Sequence, residues 1–304
     1  KKKVNLDSFV EDGFCHLGKI LEEDACRDLI QKVHETREFS PNLFLTEKEV
    51  GDNPSHSAVN PYPGRNLTEK FDLSWIEKNP VFIESLTRVL GEGFHIYNKK
   101  FVVGMPDAWL PAWVARQTKT MFVPNLGAFV KPEYRDMTYF NGIDFHQDMV
   151  DHRDRISDFV TLYVYLEDTN NSTSPLFIIP NSHKFGATLF PHKIVVEKHA
   201  RKLIYTDDQG RKETFDYQIL TGPGGTVYFW SALTLHGTQP HRSEKPRISL
   251  RYKIEKGNDG QTGLLDTLND NVVGPLSLKI VRNDCDEGGY SIKTGENIIR
   301  GIPL

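Results

Sequence analysis

The sequence predicts a mainly β protein with a helical flank. Apolar residues recur at helical spacing in the first part of the chain, and short β-type runs separated by Pro- and Gly-containing turns begin at about residue 94. Helices followed by many short strands indicate an all-β core with helices beside it. We therefore expect a single domain over residues 1–304, with a helical flank over about 1–93, a β core over about 94–256 and a C-terminal extension over 257–304.

A strand-like piece followed by a helix is predicted within residues 1–40, and a second helix follows later in the flank. The first helix is indicated by apolar residues at helical spacing with charged residues between them: Leu21, Cys26, Leu29, Ile30 and Val33. The second is marked at both ends, because Asn79 can cap its N-terminus, Pro80 suits the first helical position and Gly91 can end it. The polar stretch between them, residues 40–70, contains Pro and Gly and is predicted to be loop.

The clearest strand of the predicted core covers residues 159–167. Val160, Leu162, Val164 and Leu166 alternate with Thr161, Tyr163 and Tyr165, so the two sets should point to opposite faces of a sheet. Further strands are predicted at residues 176–179, 226–230 and 248–254, and turn residues such as those at 180–182 and 222–225 punctuate them.

Composition excludes some classes of function. The net charge is −4 and the pI is about 6.3, which argues against nucleic-acid binding, since that normally needs a basic face. No apolar run approaches the ~20 residues that span a bilayer, and the first residues contain no apolar signal segment. The three scattered cysteines favour a reducing compartment, so a cytoplasmic location is expected.

A histidine and a carboxylate stand two residues apart in the apolar segment Phe-His-Gln-Asp-Met-Val, residues 145–150. In a strand, His146 and Asp148 would point to one face and supply two of the three ligands of a 2-His-1-carboxylate site for Fe(II). The alternative is an ordinary polar pair at a strand end. A second His-x-Asp begins at His152, but its charged surroundings are typical of a solvated turn, and we therefore favour the first pair.

The third ligand is predicted at His236, which follows a strand and precedes a glycine that lets the backbone approach a site closely. Eleven residues later, Arg247 opens an alternating β run. A buried arginine in a strand needs an anion, and its planar fork suits a carboxylate. Ser249 would share the face of Arg247 and could bind the same carboxylate or simply fill a strand position, and Arg251 is an alternative clamp.

These segments together resemble a known family. The pieces His146-Gln147-Asp148, residues 176–184 (Leu-Phe-Ile-Ile-Pro-Asn-Ser-His-Lys), His236-Gly237-Thr238 and Arg247 occur in the order and spacing of the phytanoyl-CoA dioxygenase-like Fe(II)/2-oxoglutarate oxygenases. The opening residues 9–14 also resemble the start of that family, so the resemblance covers most of residues 7–255. It implies a double-stranded β-helix, the cupin-like jelly-roll fold.

The resemblance also implies roles for individual residues. His146, Asp148 and His236 would bind Fe(II), Arg247 would bind the distal carboxylate of 2-oxoglutarate, and Thr238 would assist it. O2 would be the oxidant, with release of succinate and CO2. Related halogenases have a small residue in place of the carboxylate, so Asp148 favours hydroxylation of an unactivated C–H. Desaturation or oxidative cyclisation on the same iron and a non-catalytic metal-binding barrel remain alternatives, as does a protein hydroxylase.

The expected partner is a small-molecule substrate. The sequence identifies neither this substrate nor the oligomeric state of the protein. Tyr163 is predicted to line the co-substrate pocket or to pack in the core. If the substrate is an acid, Arg65, Arg116 and Lys119 are candidate contacts. Trp113 lies in a Pro- and Trp-containing segment that suggests a rigid flap over the substrate, with core packing as the alternative.

Overall fold

The computed structural model describes residues 6–52, 65–119, 124–152, 155–187, 189–197, 201–206, 210–258 and 260–272. Within these ranges the α-helices are α1 Ser8–Asp12, α2 Glu23–Thr36, α3 Glu47–Asp52, α4 Ser74–Glu77, α5 Pro80–Leu90, α6 Ala112–Thr118 and α7 Leu264–Asp270. In the described part of the chain, no helix is long and apolar enough to cross a membrane.

The strands are β1 Phe14–Lys19, β2 His95–Gly104, β3 Thr138–Phe140, β4 Ile143–His146, β5 Phe159–Tyr165, β6 Leu176–Ile178, β7 Lys193–Glu197, β8 Lys202–Thr206, β9 Lys212–Asp216, β10 Gln218–Leu220, β11 Thr226–Ser231, β12 His236–Thr238 and β13 Arg247–Glu255. A large sheet has the order β1-β11-β5-β13-β2-β3, a small sheet has the order β10-β6-β12-β4, and β7-β8-β9 form a third sheet. Neighbouring strands are antiparallel except β2 and β3.

From β3 onward the chain crosses between the large and the small sheet at every step, apart from an excursion through β7–β9 that begins and ends in the small sheet. It passes from β4 to β5, back to β6, then from β10 to β11, to β12 and to β13, so consecutive strands lie in opposite sheets. One buried cluster contains residues of both sheets, among them Tyr163 and Tyr165 from β5 and Phe145 and Phe177 from β4 and β6. This is the predicted double-stranded β-helix, and the mainly β fold with a helical flank is confirmed.

Strand β5 has the two faces that its alternation predicts. Val160, Leu162 and Val164 belong to the large core between the main sheet and the helices, whereas Tyr163 and Tyr165 face the space between the two sheets. The two tyrosines of β5 thus lie on its inner face, toward the second sheet. This arrangement separates the stabilising core from the interior, where a site can form.

The predicted second helix is also confirmed. The Asn79 side chain accepts hydrogen bonds from the backbone N–H groups of Val81 and Phe82, and Pro80 is the first helical residue. Gly91 follows the last residue with φ 88°, a left-handed conformation that glycine adopts without steric cost.

Three features differ from the sequence-based expectation. Strand β1, expected as a strand-like piece before the first helix, pairs with β11, so the large sheet takes in a strand from the predicted helical flank. Residues 47–52, predicted to be loop, form α3. Strands β7 to β9 and helix α7 were not predicted, since short amphipathic runs carry little periodic signal. Helix α7 contacts α1 and α5.

Candidate metal centre

Two histidines face each other across the small sheet. His146 ends β4, His236 begins β12, and they are register partners in the antiparallel pair. Their ring centroids are 4.4 Å apart. Gly237 permits this close pairing, because a Cβ added there would lie 2.5 Å from the backbone oxygen of Ile143.

Asp148 completes the cluster from a different kind of element. Strand β4 ends at His146, and Asp148 begins a 3-10 turn that ends at Asp151. The prediction that one strand carries both residues is therefore wrong, although the two side chains still converge. Asp148 Oδ1 lies 3.5 Å from His236 Nε2 and 4.0 Å from His146 Nε2. Two atoms that each bind one ion at about 2.1 Å can be at most about 4.2 Å apart, so both distances fit a shared metal. One ligand atom from each of the three residues lies within 4.8 Å of the other two.

Hydrogen bonds leave one ligand atom available on each side chain. Nδ1 of His146 lies 2.9 Å from the Asp144 carbonyl oxygen, and Nδ1 of His236 lies 2.9 Å from that of Thr234. A carbonyl oxygen only accepts, so each Nδ1 carries the proton and each Nε2 has a free lone pair.

The carboxylate of Asp148 is held by its second oxygen. Oδ2 accepts hydrogen bonds from the Thr161 hydroxyl at 2.6 Å and from the Trp230 indole N–H at 2.9 Å. Oδ1 is therefore left toward the two imidazoles. Thr161 and Trp230 were not among the residues predicted for the site, because they lie 13 and 82 positions from Asp148 and no local pattern links them to it.

The electrostatics favour a bound cation. Burial and the neighbouring His236 lower the pKa of His146 to about 4. Burial alone would raise the pKa of Asp148, but His236, Lys253 and His146 outweigh it and hold that pKa well below its ordinary value. At neutral pH the site contains a neutral imidazole at His146 and a carboxylate at Asp148, the protonation states that bind metals.

Arg247 lies buried at the start of β13, with 3% of its surface exposed. It donates to the Ser249 hydroxyl at 2.5 Å and to the Ser174 backbone oxygen at 3.0 Å. Its Nε has no acceptor among the described residues, and the buried Thr238 hydroxyl likewise has no partner there. A buried guanidinium without a carboxylate costs free energy, and these two unsatisfied groups indicate a place for an anionic ligand.

The histidine–aspartate cluster and Arg247 line one cavity of about 410 Å³ between the two sheets. The predicted residues Thr238 and Tyr163 also line it, and Ser249 reaches it through its hydrogen bond to Arg247. Other polar or charged residues of its wall include Asn98, Lys100, Asp151, His152, Arg251 and Lys253. Arg251, named from the sequence as an alternative clamp, thus lines the cavity, and continuing the alternation of β13 by two more residues would have found Lys253.

The four predicted substrate contacts lie elsewhere. Arg65 is exposed beside Arg37 and Asp136 on the outer surface. Arg116 is exposed and forms an ion pair with Glu47, and Lys119 is exposed after α6.

Trp113 packs edge-on against Phe129 in the core against the helices, as its alternative interpretation states. The structure thus does not bring Arg65, Arg116, Lys119 or Trp113 to the cavity, because the segments that carry them pack on the outer side of the large sheet or away from it.

Comparison with known proteins shows what this chain is similar to. A probable alpha-ketoglutarate-dependent hypophosphite dioxygenase of Stutzerimonas stutzeri is 28% identical over 101 residues, which are 33% of this chain and 35% of that protein. The match thus spans about a third of the length of that relative.

Similar solved structures include EvdO2 from Micromonospora carbonacea var. aurantiaca, 13% identical with a TM-score of 0.47 over 84% of this chain and 94% of the other. The carbocyclase SnoK from nogalamycin biosynthesis is 12% identical, with a TM-score of 0.45 over 84% of each chain. Both likenesses are distant. The family model described as phytanoyl-CoA dioxygenase (PhyH), in contrast, matches residues 9–249 and includes every residue of the histidine–aspartate cluster and Arg247. The protein belongs to the phytanoyl-CoA dioxygenase (PhyH) family.

Proposed function

We propose that the protein is a non-haem Fe(II)- and 2-oxoglutarate-dependent dioxygenase that oxidises a small molecule. The observation that carries this proposal is that one cavity contains both a metal-ligand cluster and a buried arginine. Ligand atoms of His146, Asp148 and His236 converge, and within the described ranges Nε of the buried Arg247 has no acceptor. A metal alone would leave Arg247 unexplained, whereas a dicarboxylate co-substrate accounts for both.

The residues have distinct roles in this proposal. Nε2 of His146, Nε2 of His236 and Oδ1 of Asp148 bind the iron, which supplies the reaction with O2 when bound. Arg247 and Thr238 bind the distal carboxylate of 2-oxoglutarate, and Ser249 orients the guanidinium. Tyr163 packs 6.0 Å from the Arg247 guanidinium carbon and forms part of the co-substrate wall.

Hydroxylation is the proposed outcome, with succinate and CO2 as the co-products. Asp148 supports it, because its carboxylate occupies the position that a halide would need. Desaturation or cyclisation begins with the same hydrogen removal and is the second candidate. The similarity to a probable alpha-ketoglutarate-dependent dioxygenase of Stutzerimonas stutzeri supports the reaction class.

The test is an anaerobic titration of apo-protein with Fe(II) and 2-oxoglutarate, followed through the visible charge-transfer absorption of a keto acid chelated to iron. We expect the band in the wild type, its loss in His236→Ala and a shift to higher 2-oxoglutarate concentration in Arg247→Ala. His95→Ala is a matched control, since His95 is exposed and remote from the cluster in the sheet. Bound iron without the band in the wild type would favour the non-catalytic barrel.

A further inference from the structure

The inner face of β13 carries more positive charge than the co-substrate accounts for. Arg247, Arg251 and Lys253 all line the cavity from this strand. Lys253 has a partner, because its Nζ lies 2.7 Å from Oδ2 of Asp151. Arg247 is assigned to the distal carboxylate of 2-oxoglutarate. Arg251 remains without an assigned function.

A second cation stands directly opposite Arg251. Lys100 of β2 is its register partner in the antiparallel pair, and both residues line the cavity. Within the described ranges neither has a carboxylate within ion-pair distance, and Arg251 Nε is buried without an acceptor. Burial and the charge of Arg251 lower the pKa of Lys100. Asp136 and Asp151 act on this pair from beyond ion-pair distance, and they are themselves paired with Arg37 and Lys253. Like charges directly across a strand pair destabilise a sheet, so an anion bound between Arg251 and Lys100 would stabilise this arrangement.

We propose that Arg251 and Lys100 bind an anionic group of the substrate. The assignment of this anion to a substrate rests on the proposed function, whereas the presence of the two facing cations does not. Arg251 offers a planar fork of donors and Lys100 a point charge, a combination that suits a carboxylate or a phosphorus oxyanion. The substrate class is therefore a small organic or inorganic acid.

The spacing along β13 separates this anion from the distal carboxylate of the co-substrate. Arg251 lies four residues beyond Arg247 on the same face, which places their Cα atoms about 13 Å apart. The two positions hold different partners across the sheet, Gly104 opposite Arg247 and Lys100 opposite Arg251. The keto-acid carboxylate of 2-oxoglutarate has the same chemistry as an acidic substrate group and could also bind Arg251 and Lys100. The experiment must therefore distinguish these two sources of the anion.

The cavity sets a limit on size. Its volume of about 410 Å³ has to hold the co-substrate as well as the substrate. Ligand pockets of about 300–1,000 Å³ typically take one drug-sized molecule. The space near Arg251 and Lys100 therefore suits a compact acid and not a long acyl chain enclosed entirely in the cavity.

The test uses inorganic phosphate as the probe and calorimetric titration as the readout. Apo-protein and protein loaded with Ni(II) and saturating 2-oxoglutarate are each titrated, so that Arg247 is occupied in the second case. We expect phosphate to bind the wild type, and Arg251→Gln and Lys100→Met each to weaken it about tenfold or more, the effect of one lost charge-assisted hydrogen bond. Arg27→Gln, an exposed arginine of α2, is the matched control and should bind phosphate as the wild type does.

A thermal melt provides a second readout that needs no activity. Phosphate should raise the Tm of the wild type, and the Arg251→Gln/Lys100→Met double variant should lose that increase. Without phosphate, the double variant should melt at a higher temperature than the wild type, because the like-charge contact is gone. Equal phosphate affinity in wild type and variants, or no binding by the wild type, would overturn the proposal.

The 2-oxoglutarate titration separates the two sources of the anion. If Arg251→Gln leaves the 2-oxoglutarate affinity unchanged while phosphate binding falls, the pair serves the substrate. If 2-oxoglutarate affinity falls and phosphate binding does not, the pair holds the keto-acid carboxylate and the proposal fails. If phosphate binding depends on the pair while the wild type forms no iron–2-oxoglutarate band, the anion site stands and the proposed function fails.

Discussion

The indole N–H of Trp230 donates a hydrogen bond of 2.9 Å to Oδ2 of Asp148. Trp230 belongs to β11 of the large sheet and Asp148 to the turn after β4 of the small sheet, so this contact ties the cluster to both halves of the barrel. Together with the Thr161 hydroxyl, it turns Oδ1 toward the imidazoles. The orientation of the one carboxylate in the cluster thus depends on residues that bind no metal themselves.

The first prediction concerns this orientation. Trp230→Phe removes the donor and keeps most of the ring, so we expect Fe(II) affinity to fall by about 10- to 100-fold, the usual effect of losing such a supporting hydrogen bond. Thr161→Val should act in the same direction. The measurement is competition for Fe(II) with a chelator of known affinity. Wild-type affinity in the Trp230→Phe/Thr161→Val double variant would show that Asp148 needs neither donor.

The second prediction concerns the co-substrate clamp. Ser249→Ala removes the acceptor of one Arg247 N–H, and we expect 2-oxoglutarate to bind several-fold more weakly, since a hydrogen bond to a charged group contributes about 1.5–3 kcal/mol at most. Arg247→Lys should weaken binding further, because a lysine lacks the planar fork. Fe(II) affinity should be unchanged in both variants. Equal 2-oxoglutarate affinity in Ser249→Ala would contradict a role of the serine in orienting Arg247.

The third prediction concerns the close pairing of β4 and β12. Gly237→Ala would place a Cβ 2.5 Å from the Ile143 backbone oxygen, which a rigid strand cannot easily avoid. We expect a loss of about 1–3 kcal/mol in the free energy of unfolding, typical of overpacking, and weaker Fe(II) binding. Chemical denaturation measures the first and chelator competition the second. Gly51→Ala is the control, because a Cβ there meets no atom within 4 Å; equal losses in both variants would contradict the steric explanation.

The fourth prediction concerns acid sensitivity. Burial lowers the pKa of His183 to about 4 and that of His192 to about 3, so both stay neutral in the folded protein below the ordinary histidine pKa. The unfolded chain binds these protons from about pH 6.5 downward, and the folded chain does so only near pH 4 and below. Folding free energy should therefore be lost as the pH falls from about 6.5 to about 4.

Urea denaturation of the metal-free protein at pH 7 and at pH 5 measures this loss. Two protons taken up only by the unfolded chain correspond to a slope of about 2.7 kcal/mol per pH unit at most. A His192→Asn variant should show a shallower slope than the wild type. Equal stability at the two pH values would show that these histidines are protonated in the folded state.

Several elements of the fold could be predicted from local sequence patterns. The Asn79, Pro80 and Gly91 signals place α5 at its ends, and the alternation over residues 159–167 separates the two faces of β5. These predictions succeed because caps and two-residue periodicity act through neighbouring residues. The strand-like piece before the first helix was predicted, but its place beside β11 was not, since a single short strand joins the large sheet only through that distant partner.

Some residues around the cavity could be predicted from the sequence, and others could not. The spacing of His146, Asp148, His236 and Arg247 along the chain is a pattern that the sequence displays directly, and the structure places all four around one cavity. The substrate contacts predicted from loops, Arg65 and Arg116 among them, do not reach it. A charged loop residue looks the same in sequence whether its loop covers the barrel mouth or packs on the outside.

The sequence by itself determined the fold class, the family resemblance and the candidate ligands of metal and co-substrate, because these depend on periodicity and on spacing within short segments. Only the tertiary structure decided which partners support Asp148, which cations share a wall with Arg247 and which predicted contacts lie outside. The donors Thr161 and Trp230 and the facing pair Arg251 and Lys100 each come from different strands. Their meeting depends on the register and packing of two sheets, which no local pattern of residues encodes.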